Sequence, residues 1–373
     1  MKTRFYWPYD EVTADLSDDR RQLIIKAPWI QATLPVSDEN LSAAVELVTK
    51  FKSQSLQQLD PGLMSSVFRA LRSYPFCYVL PYTGSAEPTT GLDQPLLHDQ
   101  DLIHLSPHEL LRSVDLSETD VSSMTQLIGR QDWEWDASAA LTFSQTGQGI
   151  DPESLLSVSR RFHLLEVMEN DQGSDIFRRI EDLPEDQYRR MVMLLVRQNH
   201  YVTEQCQASL APALDLAGQA KDHVAGFMAA EKGHDLILGS ALKSMTDDRS
   251  GLPVCLSTRT LMKLLKFVAG RNLLAFAMVI EMFERSSYES IDPLASLLAK
   301  GGFDKAASLV NRHKEINDAG GHENIAASFL EFMAPCNPDY ALEAMHLAEL
   351  VSVISNSVTG SVWKLFHEIS SGT

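Results

Sequence analysis

The chain has 373 residues, 44% hydrophobic and 22% charged, with a formal net charge of −18. That length exceeds one helical bundle of ordinary size, so two domains with normal cores are expected. The acid excess disfavours nucleic acid and anionic membrane surfaces, and no apolar run is long enough to span a bilayer.

The opening Met1-Lys2-Thr3-Arg4-Phe5-Tyr6-Trp7-Pro8 lacks the apolar core of a secretory signal, which makes the cytoplasm the expected location. Residues 21–83 then read as a small α/β unit. Leu23-Ile24-Ile25 and Trp29–Leu34 are strand-like, punctuated by Pro28 and Pro35. Ser37 is placed to cap a helix with the stripe Leu41, Val45, Val48 and Phe51. Asp60-Pro61 opens a second helix with the stripe Leu63, Val67, Ala70 and Leu71, and Cys77–Leu80 can return as a strand. Pro81, Pro88, Pro95, Gly84 and Gly91 mark a loop, and Ser106-Pro107-His108-Glu109 carries a capping-box pattern. His98, Asp99, Asp101, His104 and His108 are ligand types, but they sit in a stretch whose geometry spacing does not define. Gly147–Pro152 is the best boundary in the chain.

Beyond it the periodicity is helical, with helices expected near 153–169, 185–216, 218–246, 257–287, 303–319, 323–333 and 338–370. Long helices joined by short links make a bundle. The division is therefore a small α/β N-terminal domain over 1–95, a helical or loop connector over 96–150, and a helical bundle over 151–373. The cysteines Cys77, Cys206, Cys255 and Cys336 form no C-x-x-C and read as reduced, mostly buried thiols.

Four polar pieces interrupt the helical half. Glu231 and His234 are three apart, hence neighbours on one helix face, where a carboxylate and an imidazole can share a metal ion. His223, eleven residues earlier, falls near the same face and can line the site. Glu281 lies in the apolar run Ala277–Phe283, where burial is costly without a metal or partner; Glu284 is its alternate one turn on. His313 and Asn317 are one turn apart, and so are Asp318 and His322 on another face. Gly320-Gly321 can break the helix and swing His322 inward. Gln198-Asn199-His200-Tyr201, with Glu204, can wall a substrate pocket.

The order Glu-x-x-His, then a lone Glu, then a His with a polar residue four later resembles the haem-oxygenase-like di-iron oxidases. The likeness covers about 210 residues, from Ser154 to Phe366. The resemblance implies a haem-oxygenase-like bundle with Glu231, His234, Glu281 and His313 as iron ligands, and His234 and Glu281 at the reacting centre. It leaves Asn317, Asp318 and His322 as candidates for the remaining donors, because the family's aspartate position holds Asn317 here and its next histidine position holds Gly320. Gln198, Tyr201 and His223 are the substrate-binding candidates. The N-terminal order strand–helix–helix–strand resembles winged-helix peptide-recognition modules in topology alone; a spacer domain is an equal reading.

What the resemblance implies is a non-haem iron enzyme using one or two Fe(II) ions and O₂. It would act on an amino-acid-like, fatty-acid or peptide substrate, with no nucleic acid or membrane partner and a homodimer left open. Two other readings keep the fold. One is a cofactorless enzyme like PQQ synthase or the TenA thiaminases, with His234, His313 and Gln198 as acid–base and binding groups and Cys206 as the sole candidate thiol. The other is a non-catalytic binding protein.

Overall fold

The computed structural model describes residues 4–9, 12–27, 30–53, 77–81, 105–129, 133, 135–169, 172–248, 251–284, 292–319 and 325–371. It is mainly helical, with a small strand-bearing region at the start.

The N-terminal strands are β1 (Arg4–Pro8), β2 (Thr13–Leu16), β3 (Gln22–Ala27), β4 (Ile30–Pro35) and β5 (Cys77–Pro81). β2, β3 and β4 form an antiparallel meander, and β1 pairs antiparallel with β5. The period-2 pattern sets the register: Ala14 faces Ile25, which faces Ala32, and all three are buried. β1 and β2 precede residue 21, where the strand pattern of the sequence first shows. α1 (Leu41–Ser53) follows a single 3₁₀ turn, Asp38–Asn40. Ser37 stands at the start of that turn without its side chain capping it. The buried face of α1 is Ala44 and Leu47, and Val45 is exposed, so the expected stripe is displaced by one position. The second expected helix, around residues 61–74, lies outside the described residues.

Next come α2 (Pro107–Ser113), α3 (Glu118–Ile128), α4 (Ala137–Ser144), and the two-residue strands β6 (Gln145–Thr146) and β7 (Gly149–Ile150). The Ser106–Glu109 capping box forms as the sequence indicates. The expected domain boundary at 147–152 holds a hairpin. Ile150 and Cys336 exchange both backbone hydrogen bonds, each 2.9 Å, and Asp151 then caps α5 (Pro152–Glu169) through the Ser154 N–H, 3.0 Å.

The helical series continues with α6 (Gln172–Glu181), α7 (Glu185–Leu210), α8 (Ala213–Leu216), α9 (Lys221–Ala230), α10 (His234–Met245), α11 (Leu256–Ala269) and α12 (Leu273–Glu284). It ends with α13 (Pro293–Lys300), α14 (Asp304–Ala319), α15 (Ile325–Leu330) and α16 (Pro338–Ser371). Three stretches expected as single helices are broken. Pro212 follows α7. Gly233, at φ 97°, separates α9 from α10. Gly270, whose added Cβ would lie 3.2 Å from the Pro212 Cβ, closes α11, and the Asn272 side chain restarts α12 by accepting from the Ala275 N–H, 3.0 Å. α13 was not expected, although Asp292-Pro293 opens it with the same cap-and-proline signal read at Asp60-Pro61; Asp292 accepts from the Leu294 N–H at 2.8 Å.

The compact units are not three consecutive segments. One comprises Met1–Ile103, Asp136–Met168 and Met333–Leu342; the other comprises His104–Trp135, Glu169–Phe332 and Glu343–Thr373. In the first, the Tyr9 hydroxyl donates to the Ser157 carbonyl at 2.8 Å, tying α5 to the N-terminal strands. In the second, Leu194, Val196, Leu238, Leu242, Ala306 and Val310 belong to one core cluster supplied by α7, α10 and α14. Among the described residues, no helix is long and apolar enough to cross a membrane.

Candidate functional site

The second unit holds the candidate centre, and α10 positions it by packing on both α7 and α14. Close approach to α7 depends on Gly239. A Cβ there would lie 2.9 Å from the Nε2 of buried His200, whose Nδ1 is 3.2 Å from Arg197 Nη1. α7 is braced a second time by Gln198. Its Nε2 donates to the carbonyls of Leu194 and Pro253, both at 3.1 Å. Its Oε1 accepts from the Cys255 N–H at 2.9 Å and the Thr258 hydroxyl at 3.0 Å. Those four bonds use the whole capacity of the amide. Gln198 is therefore a scaffold residue, and the substrate-binding role expected for it has no free group to serve it.

Glu231 and His234 do not share a continuous helix as their spacing suggested. Glu231 is the C-cap of α9, Gly233 turns the chain in the left-handed region, and His234 is the first residue of α10. The two side chains still meet, with Glu231 Oε2 3.2 Å from His234 Nδ1. The approach is close enough for an ion pair but too poorly aligned for a hydrogen bond, so both ring nitrogens of His234, 3% exposed, lack a hydrogen-bond partner. On α14, the His313 ring stands edge-on to His234 with centroids 4.7 Å apart. His313 Nε2 and, one turn on, Asn317 Oδ1 are likewise buried without a hydrogen-bond partner. Each such group costs about 1–3 kcal/mol if nothing satisfies it. Burial above all, then the neighbouring His234, pushes the His313 imidazole down to about 4, against the opposing pull of Glu231; the ring is neutral with a lone pair to give.

Cys206 is not among the expected ligands or their neighbours, yet from α7 its Sγ reaches Glu231 Oε2 at 3.9 Å. A single cysteine in a helix carries no spacing signal that would have found it. Burial, then the charges of Glu231 and Glu284, push this thiol up to about 12. Glu281 is 3% exposed in α12, where every residue from Leu273 to Met282 is buried, so its carboxyl is buried in the apolar run as expected. Glu284, at the end of α12, is half-buried, and its charge is felt at Cys206.

Two imidazoles and a carboxylate suit a ferrous ion, and the orphaned nitrogens of His234 and His313 are the groups such an ion would satisfy. The donors approach in pairs: among the described residues, no group of three or more His, Cys, Asp or Glu side chains stands ready-arranged about a common ion position. His322 and the side chain of Asp318 lie outside what the structure describes. The His223 ring stacks on that of Phe332, centroids 6.0 Å apart. Tyr201 lies 5.8 Å under the Arg197 guanidinium. In the 98–108 stretch, His108 Nδ1 is 3.0 Å from the Thr125 hydroxyl, and His98, Asp99, Asp101 and His104 are outside the described residues. Cys206, Cys255 and Cys336 are free thiols as expected, but only Cys255 is buried; Cys206 and Cys336 are half-buried.

No protein-family profile and no curated protein matches the chain. Among solved structures, it is similar to a domain of unknown function with a haem-oxygenase-like fold from Shewanella denitrificans, at 15% identity over 57% of this chain and 94% of that one, with a TM-score of 0.48.

Proposed function

We propose that this protein is a non-haem iron, O₂-dependent oxidase or oxygenase acting on a small amino-acid-like, fatty-acid or peptide substrate. The reading rests on one observation: buried His234, with no hydrogen-bond partner on either ring nitrogen, stands between the carboxylate of Glu231 and the half-buried His313, whose Nε2 also lacks a hydrogen-bond partner. His234, His313 and Glu231 would hold one Fe(II) ion, and Glu281 is the second carboxylate. Bound there, the ion supplies O₂ binding and activation for attack on the substrate. The protein's part is to keep His313 neutral by burial, to place Glu231 against His234, and to exclude water from the rings. Asn317 Oδ1 offers a buried acceptor for an N–H or O–H group of the substrate, and as a neutral amide it is a poor ligand for a second ion.

The thiaminase-like alternative needs a nucleophilic thiolate. Burial first, and then the charges of Glu231 and Glu284, hold the proton on Cys206, which argues against it. Anaerobic Fe(II) titration of the full chain tests the iron reading. One tight ion is expected, lost in His234→Ala, with any second ion weaker. Absence of tight binding would overturn the proposal, and two equally tight ions would show that further donors complete a second site.

A further inference from the structure

We propose that Cys206 is a positioning residue whose S–H donates to Glu231 and holds that carboxylate against His234. Three contacts run in series from α7 to α14: Cys206 Sγ to Glu231 Oε2 at 3.9 Å, Glu231 Oε2 to His234 Nδ1 at 3.2 Å, and His234 to His313 with ring centroids 4.7 Å apart. The same carboxylate oxygen takes the first two contacts, so the thiol and the imidazole face it together. Glu231 belongs to the break between α9 and α10, where the backbone restrains a side chain less than a continuous helix would. The contact from Cys206 on α7 adds a restraint on the carboxylate from a second helix. A thiol is a weak donor, and S–H···O contacts are second-order in energy; the value here is directional, like the outer partners of metal-ligating groups. The second observation at this place is His234, 3% exposed, with both ring nitrogens lacking a hydrogen-bond partner. It marks the spot as a ligand site and not merely a buried cysteine.

The affinity arm of the test rests on the iron reading, and the spectroscopic arm does not. In the metal-free full chain, the infrared S–H stretch that disappears in Cys206→Ala should lie below those of Cys255 and Cys336 and move upward in Glu231→Gln. A band at the free-thiol position, or one indifferent to Glu231→Gln, overturns the proposal. In anaerobic Fe(II) and Co(II) titrations, Cys206→Ala should weaken binding by about 10–100-fold, and Cys206→Ser, which keeps a donor on the same carbon, should recover part of the loss. Unchanged affinity in Cys206→Ala overturns the positioning role. So does a sulfur-to-cobalt charge-transfer band in the unmodified protein, because Cys206 would then be a ligand. If the unmodified chain takes up neither metal while the S–H band still answers to Glu231→Gln, the iron reading fails and the thiol contact stands.

Discussion

At the scale of single residues, burial decides what each polar group can do. The imidazole of His313 is held down to about 4 from an ordinary 6.5, so between those values the unfolded chain binds a proton that the folded chain refuses. Stability must therefore fall as pH drops through 6.5 toward 4 and lose nothing further from this group below that. His163, pushed to about 4 by burial, acts in the same direction. Urea midpoints of the metal-free protein measured from pH 7 to 4 should decline, and His313→Gln should remove part of the decline, up to a few kcal/mol. An unchanged slope would show that His313 titrates normally. Gln198 gives a second expectation. Gln198→Leu strands the Cys255 N–H, the Thr258 hydroxyl and the Pro253 carbonyl, and should cost about 2–4 kcal/mol. Iron affinity in the folded fraction should stay near that of the unmodified chain, and the stability loss itself is the outcome that a solvent-facing pocket residue would not give. Asn317→Asp adds an anionic donor one turn from His313 and should tighten a second iron in the anaerobic titration.

At the scale of elements, the site depends on where helices stop and how closely they approach. Gly233 turns the chain at φ 97° with open space around its missing Cβ, so Gly233→Ala isolates backbone strain from crowding. It should cost about 1–2 kcal/mol in thermal or denaturant unfolding and weaken Fe(II) binding, because Glu231 and His234 meet only across that turn. Preserved affinity would mean the two side chains find each other without it. Gly239→Ala tests approach instead. Its Cβ would press on His200 Nε2 at 2.9 Å, separating α10 from α7 at a cost of about 1–3 kcal/mol, and His200→Ala in the same chain should relieve part of that cost.

At the scale of the whole molecule, the two compact units are each assembled from distant stretches of chain. Gly149 shows why the first unit cannot be cut at its apparent boundary. It sits at φ 129°, and a Cβ there would fall 2.5 Å from the Cys336 carbonyl oxygen, a backbone atom unable to move aside. Gly149→Ala should destabilise the first unit by about 2 kcal/mol or more, read as a lowered unfolding temperature. For the same reason, residues 145–151 should resist limited proteolysis. A chain trimmed to 151–373 should aggregate or melt early, since α5 loses the Tyr9 hydroxyl and Cys336 loses Ile150. A well-folded fragment would show that these ties are dispensable.

The order of residues alone carries the helical character of the second half, the capping box at Ser106, the burial of Glu281 and the nearness of Glu231 to His234. The first three are local, following from the period of apolar residues or from a cap; the meeting of Glu231 with His234 also needs the turn at Gly233. The tertiary structure alone decided the rest. Pairing with Cys336 made a hairpin of the Gly147–Pro152 boundary, because a glycine pair reads the same in a flexible segment and in a close backbone approach. The Cys255 N–H, the Thr258 hydroxyl and the Pro253 carbonyl claimed Gln198, because a buried amide binds whatever unsatisfied groups packing brings to it. Cys206 entered the site because α7 carries it past the end of α9, and no spacing along one helix records what another helix places opposite.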